Sequence, residues 1–148
     1  MIFVCAMTMA QTNAYPLLPM PQNYKVTDKS FAMGKVKLST PVLKSEWEAF
    51  IVNAGGELAD KAAAEIKVEL LPVIDGVKLN PDEAYRLSVS GKLIKIEAAT
   101  ERGVYWALQT LRQLEKKKGK KSLFAGCEIV DWPAFRIRGF MQDVGRSY

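Results

Sequence analysis

Apolar and polar residues alternate along much of the chain with a period of two. Val36 and Leu38 are interleaved with Lys35 and Lys37, and Ile66, Val68 and Leu70 with Lys67 and Glu69. Successive strand side chains point to opposite faces, so this pattern predicts two half-buried strands, the second ending near Pro72. The clearest case runs from Tyr85 to Ala98. Tyr85, Leu87 and Val89 alternate with Arg86, Ser88 and Ser90, and Ile94, Ile96 and Ala98 alternate with Lys95 and Glu97. Between them stands Gly91-Lys92, and glycine at the first loop position suits a type II′ turn. The segment reads as a β-hairpin with one buried face. A slip of one residue would turn that face to water, so the register is firm. Leu123 to Ile129 reads as a further short strand.

Elsewhere the period lengthens to that of a helix. Trp47, Phe50, Ile51 and Ala54 share one helical face. Ser45-Glu46-Trp47-Glu48 has the form of a capping box, with Ser45 as N-cap, and Gly55-Gly56 stops the helix. Residues 58–65 are rich in alanine and are expected to be helical. Val104, Ala107, Leu108, Leu111 and Leu114 form a second apolar stripe, which Thr100 is placed to cap. Glu101 at its start and Lys116 to Lys118 near its end suit the helix dipole, and Gly119 is expected to close it. Pro16, Pro19 and Pro21 mark an extended entry. The expected fold is α+β: a small two-layer domain of largely antiparallel sheet with helices on one face.

Composition narrows the chemistry. The chain has 148 residues, 49% hydrophobic and 25% charged, the balance of a globular domain. No apolar run approaches the ~18 residues of a membrane span. Histidine is absent, which excludes histidine-based triads and general bases within these residues. Two cysteines, Cys5 and Cys127, make neither a zinc site nor a disulfide framework, and Cys127 reads as a small buried hydrophobe. No metal or cofactor is expected. Met1 to Ala10 is almost wholly apolar, and Thr8 and Ala10 are small enough for a signal-peptidase site. Residues 1–14 therefore read as a signal peptide or a disordered N-terminus, and export is expected although a basic first segment is lacking. Lys and Arg number 21 against 16 Asp and Glu, a net charge of +5. Part of the excess is the run Lys116-Lys117-Lys118-Gly119-Lys120-Lys121, which reads as a solvated loop after a helix. The alternative is a free-standing basic module that binds nucleic acid, a membrane or carbohydrate. No aromatic residue interleaves with these lysines, so the stacking half of a nucleic-acid platform is missing and no nucleic acid is expected.

The last stretch carries the most specific pattern. Trp132-Pro133 reads as a domain junction. After it Ile137, Gly139 and Met141 alternate with Arg138, Phe140 and Gln142, as in one strand bearing an arginine. The spacing Asp131-x-Pro133-x-Phe135-x-x-Arg138-Gly139-x-x-x-Asp143-x-x-Arg146-x-Tyr148 resembles the entry to the catalytic barrel of family 20 glycoside hydrolases, the β-N-acetylhexosaminidases. Glu83-Ala84-Tyr85-x-Leu87, the hairpin, and Ala98-x-x-x-x-Gly103-x-x-x-Ala107-x-x-Thr110-Leu111-x-Gln113-Leu114 resemble the small domain that precedes that barrel. A similar small domain precedes the barrels of family 84.

The resemblance implies an N-terminal domain at 15–131 and the first strand of an incomplete (β/α)8 barrel at 132–148. It also implies substrate-assisted, retaining hydrolysis of glycans with a terminal N-acetylhexosamine. The Asp-Glu pair of that mechanism would fall beyond Tyr148, so no catalytic residue is expected in the chain. Arg138 matches the family's arginine that binds the terminal sugar's hydroxyls, a role suited to a guanidinium's fixed fork of donors. Asp143 and Arg146 match positions near the site floor and are expected to pair as scaffold. Trp132 and Phe135 are expected to pack the domain interface. Asp60, Glu65, Glu69 and Asp75 are scattered and make no paired-carboxylate site.

Overall fold

The computed structural model describes residues 16–139. Strands β1 (Asn23–Val26), β2 (Phe31–Ala32) and β3 (Lys35–Ser39) lead into helix α1 (Lys44–Asn53). Strands β4 (Glu57–Leu58) and β5 (Ala64–Leu70) follow, then a 3-10 turn at Pro81–Glu83 and the hairpin β6 (Tyr85–Ser90) and β7 (Leu93–Ala98). Helix α2 (Glu101–Gln113) precedes β8 (Glu115–Lys118), β9 (Lys121–Phe124) and β10 (Cys127–Asp131). The main sheet runs β1-β10-β6-β7-β5-β3-β4, and a small one runs β2-β9-β8. From β1 to β7 the main sheet is antiparallel; from β7 to β4 it is parallel. The chain is thus an α+β domain with a mixed sheet and two helices.

Alternation explains the core. Val36, Ile66, Val68, Leu87, Val89, Ile94, Ile96 and Ile129 all project from the same side of the main sheet and are buried. Both helices lay their apolar stripes on that side. Trp47, Phe50 and Ile51 of α1 and Val104, Ala107, Leu108 and Leu111 of α2 join one continuous cluster with the strands. The hairpin register is the one expected, Tyr85 opposite Ala98 and Ser90 opposite Leu93. Gly91 lacks the left-handed φ of a type II′ turn, so the loop closes by another turn. Cys127 is buried and free, and burial pushes its thiol up to about 12, so it stays protonated at neutral pH.

The other face of the sheet is charged. The register sets like charges directly opposite, Lys67 against Lys95 and Glu69 against Glu97, an arrangement that destabilises a sheet when left alone. Ion pairs along and across the strands reconcile them. Lys95 Nζ lies 3.0 Å from Glu69 and 2.6 Å from Glu97, Lys67 lies 2.7 Å from Glu69, and Arg86 lies 3.4 Å from Glu97. The ammonium groups of Lys67 and Lys95 hold the Glu69 carboxyl below its usual range. Glu97 and then Glu69 hold Lys95 above its own.

Several local expectations give way to tertiary pairing. Ser45 does not cap α1. The helix starts two residues earlier, its N-cap is Leu43 at φ 53°, and the Ser45 hydroxyl donates to Glu46 Oε2 at 2.8 Å. Leu43 packs its side chain against the core, and burial there takes the place of a polar cap. Residues 58–65 are not helical: β4 and β5 both pair with β3, Val36 facing Leu58 on one side and Ala64 on the other. Sheet hydrogen bonds outweigh the small helical preference of the alanines.

Helix α2 ends at Gln113 with Leu114 as C-cap, so Lys116 to Lys118 do not lie in its last turn. The lysine run is a β-hairpin rather than a loop, and Gly119, at φ +63°, lies in its turn. Leu123 to Ile129 divides between two strands in different sheets. Residues 132–139 form no regular strand, while Phe140 to Gln142 and the expected signal at 1–14 lie outside the described residues.

Helix α2 carries the expected cap, with the Thr100 hydroxyl accepting from Arg102 N at 3.2 Å. Its close seating depends on Gly103. A β-carbon there would stand 2.2 Å from the Ala84 carbonyl oxygen and 2.9 Å from Ala98 Cβ. Helix propensity alone would make Gly103→Ala stabilising by about 1 kcal/mol. Overpacking of ~1–3 kcal/mol opposes it, and backbone cannot yield as a side chain can. We expect G103A to lower the urea midpoint; a raised midpoint would show that the helix rides free of the sheet.

Candidate functional site

One helical turn separates what α2 buries from what it shows. The stripe from Val104 to Leu111 faces the sheet, and Tyr105 and Trp106 fall outside it, 44% and 41% exposed. Their rings meet edge to face at 5.3 Å. Below Trp106 the 3-10 turn supplies Glu83. Its Oε2 accepts from Trp106 Nε1 at 3.0 Å and also from Arg138 Nη2. The Arg138 guanidinium stands 5.9 Å from the Trp106 ring centroid and donates from Nη1 to the Phe135 carbonyl at 2.6 Å. A carboxylate thus links the outer face of α2 to the segment that follows β10.

Polar contacts fix the walls around this cluster. The Tyr85 hydroxyl lies 2.6 Å from Thr110 Oγ1 and donates to Asp131 Oδ2 at 3.3 Å. Burial, above all, holds the Tyr85 phenol far above its ordinary value, so it stays a neutral donor. Asp131 Oδ1 accepts from Gln22 N at 3.0 Å. The Gln113 amide clamps Leu18 from both sides, accepting from its N–H at 2.9 Å and donating to its carbonyl at 3.0 Å. Asn80 Nδ2 donates to the Pro133 carbonyl at 2.7 Å.

Two open grooves result. One, of about 770 Å³, lies between Leu43, the 3-10 turn and the start of α2. The other, of about 450 Å³, lies between α2, residues 18–22 and residues 131–138. Glu83, Trp106 and Arg138 line both. Along the second, Leu18, Met20 and Phe135 are largely exposed. Apolar side chains grouped on one face in this way mark an interaction surface. Among the described residues no group of three or more potential ligands could hold a metal ion.

Arg138 is thereby placed against Glu83 and Trp106. Asp143 and Arg146 lie outside the described residues. Trp132 is buried beside the second groove, while Phe135 projects outward. Sequence reasoning does not single out Trp106 or Tyr105 as site residues. Their signal is two adjacent aromatics lying off the apolar stripe of a helix already complete without them.

The fold defines a small two-layer α+β domain with a mixed sheet and two helices. The family model described as glycosyl hydrolase family 20, domain 2, matches residues 14–132. A β-hexosaminidase of Vibrio furnissii is 35% identical over 89 residues, 60% of this chain and 14% of that protein. A family 20 exo-β-N-acetylglucosaminidase from Vibrio harveyi superposes with a TM-score of 0.64 at 30% identity, covering 84% of this chain and 20% of that one. CpGH84B shares the fold, with a TM-score of 0.67 at 20% identity, covering 84% of this chain and 24% of that one. The chain belongs to glycosyl hydrolase family 20, through that family's domain 2. It spans 14% of the length of the Vibrio furnissii relative.

If Glu83 staples residues 132–138 to α2, Glu83→Gln should free them. The Arg138 side chain is 43% exposed, so loss of the ion pair should cost below about 1 kcal/mol in global stability. Tryptic cleavage at Arg136 and Arg138 should nevertheless quicken several-fold. Unchanged cleavage would show that other contacts hold the segment.

Proposed function

We propose that residues 15–131 are the non-catalytic domain of a β-N-acetylhexosaminidase, and that residues 132–148 open its catalytic barrel. The observation that carries this reading is the outer face of α2. It presents Tyr105 and Trp106 beside the segment that leads away from the domain, with the apolar residues Leu18, Met20 and Phe135 grouped around it. Burying such a face against a barrel is favourable at about 25 cal/mol per Å² of apolar area. The domain's work is to buttress the barrel.

The reaction of the whole enzyme would remove terminal N-acetylhexosamine from glycans. The substrate's own 2-acetamido oxygen attacks the anomeric carbon as the glycosidic bond breaks, and a Glu protonates the leaving oxygen. A neighbouring Asp orients the acetamido group, and water then opens the oxazolinium intermediate with retention. In this reading the Asp-Glu pair belongs to the barrel and not to this chain. Arg138 would hold the terminal sugar's hydroxyls through its guanidinium fork, leaving Glu83 when the barrel forms. Asp143 and Arg146 would pair as scaffold at the site floor. Residues 1–14 would direct export.

The test uses a chromogenic N-acetylglucosaminide. The 148-residue chain alone should give no turnover above a buffer blank. A family 20 barrel carrying residues 15–131 in place of its own domain 2 should hydrolyse the substrate, and Trp106→Glu in that chimera should lower its thermal midpoint. Turnover by the isolated chain, or a barrel equally active and stable with no such domain, would refute the reading.

A further inference from the structure

The lysine run is built as a rigid platform rather than a tail. Strands β8 and β9 pair from Glu115 opposite Phe124 to Lys118 opposite Lys121, and all five lysines from Lys116 to Lys121 are exposed. The hairpin is fixed to the C-terminal end of α1. Ser122 N donates to the Ala54 carbonyl at 3.0 Å, and Lys117 Nζ donates to the Asn53 carbonyl at 2.9 Å. At Gly55, φ +76°, a β-carbon would stand 2.0 Å from the Lys120 carbonyl oxygen, so the turn lies hard against the helix end. Lys117 therefore serves the fold. It meets the Asn53 carbonyl at the end of a helix whose last turn has no basic residue, and it pairs with Glu115 at 2.6 Å.

Among the described residues Lys118, Lys120 and Lys121 make no comparable side-chain contact. The register sets Lys118 directly against Lys121, and neither forms an ion pair with a carboxylate of the described residues. On the main sheet the like-charge pairs Lys67–Lys95 and Glu69–Glu97 are each bridged by an opposite charge. On this hairpin the repulsion is left standing, at some cost to the fold. None of these lysines lines the grooves beside Trp106.

We propose that the hairpin Lys116–Lys121 is a docking surface for anionic lipid headgroups. Lysine ammonium groups are hydrated point charges, suited to a delocalised anionic surface rather than to a fixed planar anion. Phe124, the one aromatic of the hairpin, is buried. The exposed part therefore offers no ring to stack on a base or a sugar, which leaves a charged surface as the fitting partner. Each lysine near an anionic leaflet adds about fivefold to binding at moderate salt.

The test is flotation of the full chain with phosphatidylcholine vesicles, with and without about a third phosphatidylglycerol, from ~0.05 to ~0.2 M salt. Binding should need the anionic lipid and fall steeply with salt. Lys118→Gln, Lys120→Gln and Lys121→Gln together should weaken it about a hundredfold, at about fivefold per lysine. The triple variant should melt no lower than the parent, because a like-charge pair is relieved. Lys61→Gln, Lys78→Gln and Lys92→Gln, which remove the same net charge from exposed sites, should bind almost as the parent does. Equal loss in both triple variants would assign binding to net charge and overturn the proposal. So would binding to neutral vesicles alone, retention on duplex DNA without vesicle binding, or no binding at all. None of these outcomes touches the barrel-buttress reading, which turnover tests separately.

Discussion

The approach of helix α2 to the main sheet at Gly103 governs the rest of the structure. The missing β-carbon lets the helix backbone come against the Ala84 carbonyl and Ala98, which seats Val104, Ala107, Leu108 and Leu111 in the core. Once that stripe is fixed, helical geometry leaves no choice for Tyr105 and Trp106. They stand on the opposite side, beside Glu83 and the segment that leaves β10. A packing constraint on one face of the helix therefore dictates what the other face offers to a neighbour.

Two ways of handling charge meet in this small domain. The outer face of the sheet interlocks cations and anions so that each like-charge pair is bridged, and such a surface is content with water. The β8–β9 hairpin gathers lysines without bridging them all, while anchoring its backbone firmly to the end of α1. The first arrangement serves solubility. The second leaves a local positive field, for which the fold itself has no use.

Much of the fold is legible because burial and periodicity agree. The β6–β7 register, the α2 stripe with its Thr100 cap, and the α1 face from Trp47 to Ala54 follow from spacing alone. What escapes the sequence is decided at a distance. Nothing local to residues 58–65 announces that β3 will pair with them, so alanine content points the wrong way. Nothing near Ser45 shows that Leu43 will pack against the core and start the helix earlier. The lysine run reads as a loop because its pairing with β9 and its dependence on the α1 carbonyls are long-range. In the candidate site, Arg138 is legible only through a spacing that resembles a family. Its partners Glu83 and Trp106 are more than thirty residues away, and no periodicity links them.

Trp106 gives the most direct access to the claim that the outer face of α2 is an interface awaiting a partner. Trp47 and Trp132 are buried, so acrylamide quenching of native fluorescence reports chiefly on Trp106. In the isolated chain a quenchable component should be present, and Trp106→Phe should remove it. In the chain joined to a family 20 catalytic barrel that component should disappear. Equal quenching in the two contexts would show that the face stays in water and that the barrel docks elsewhere.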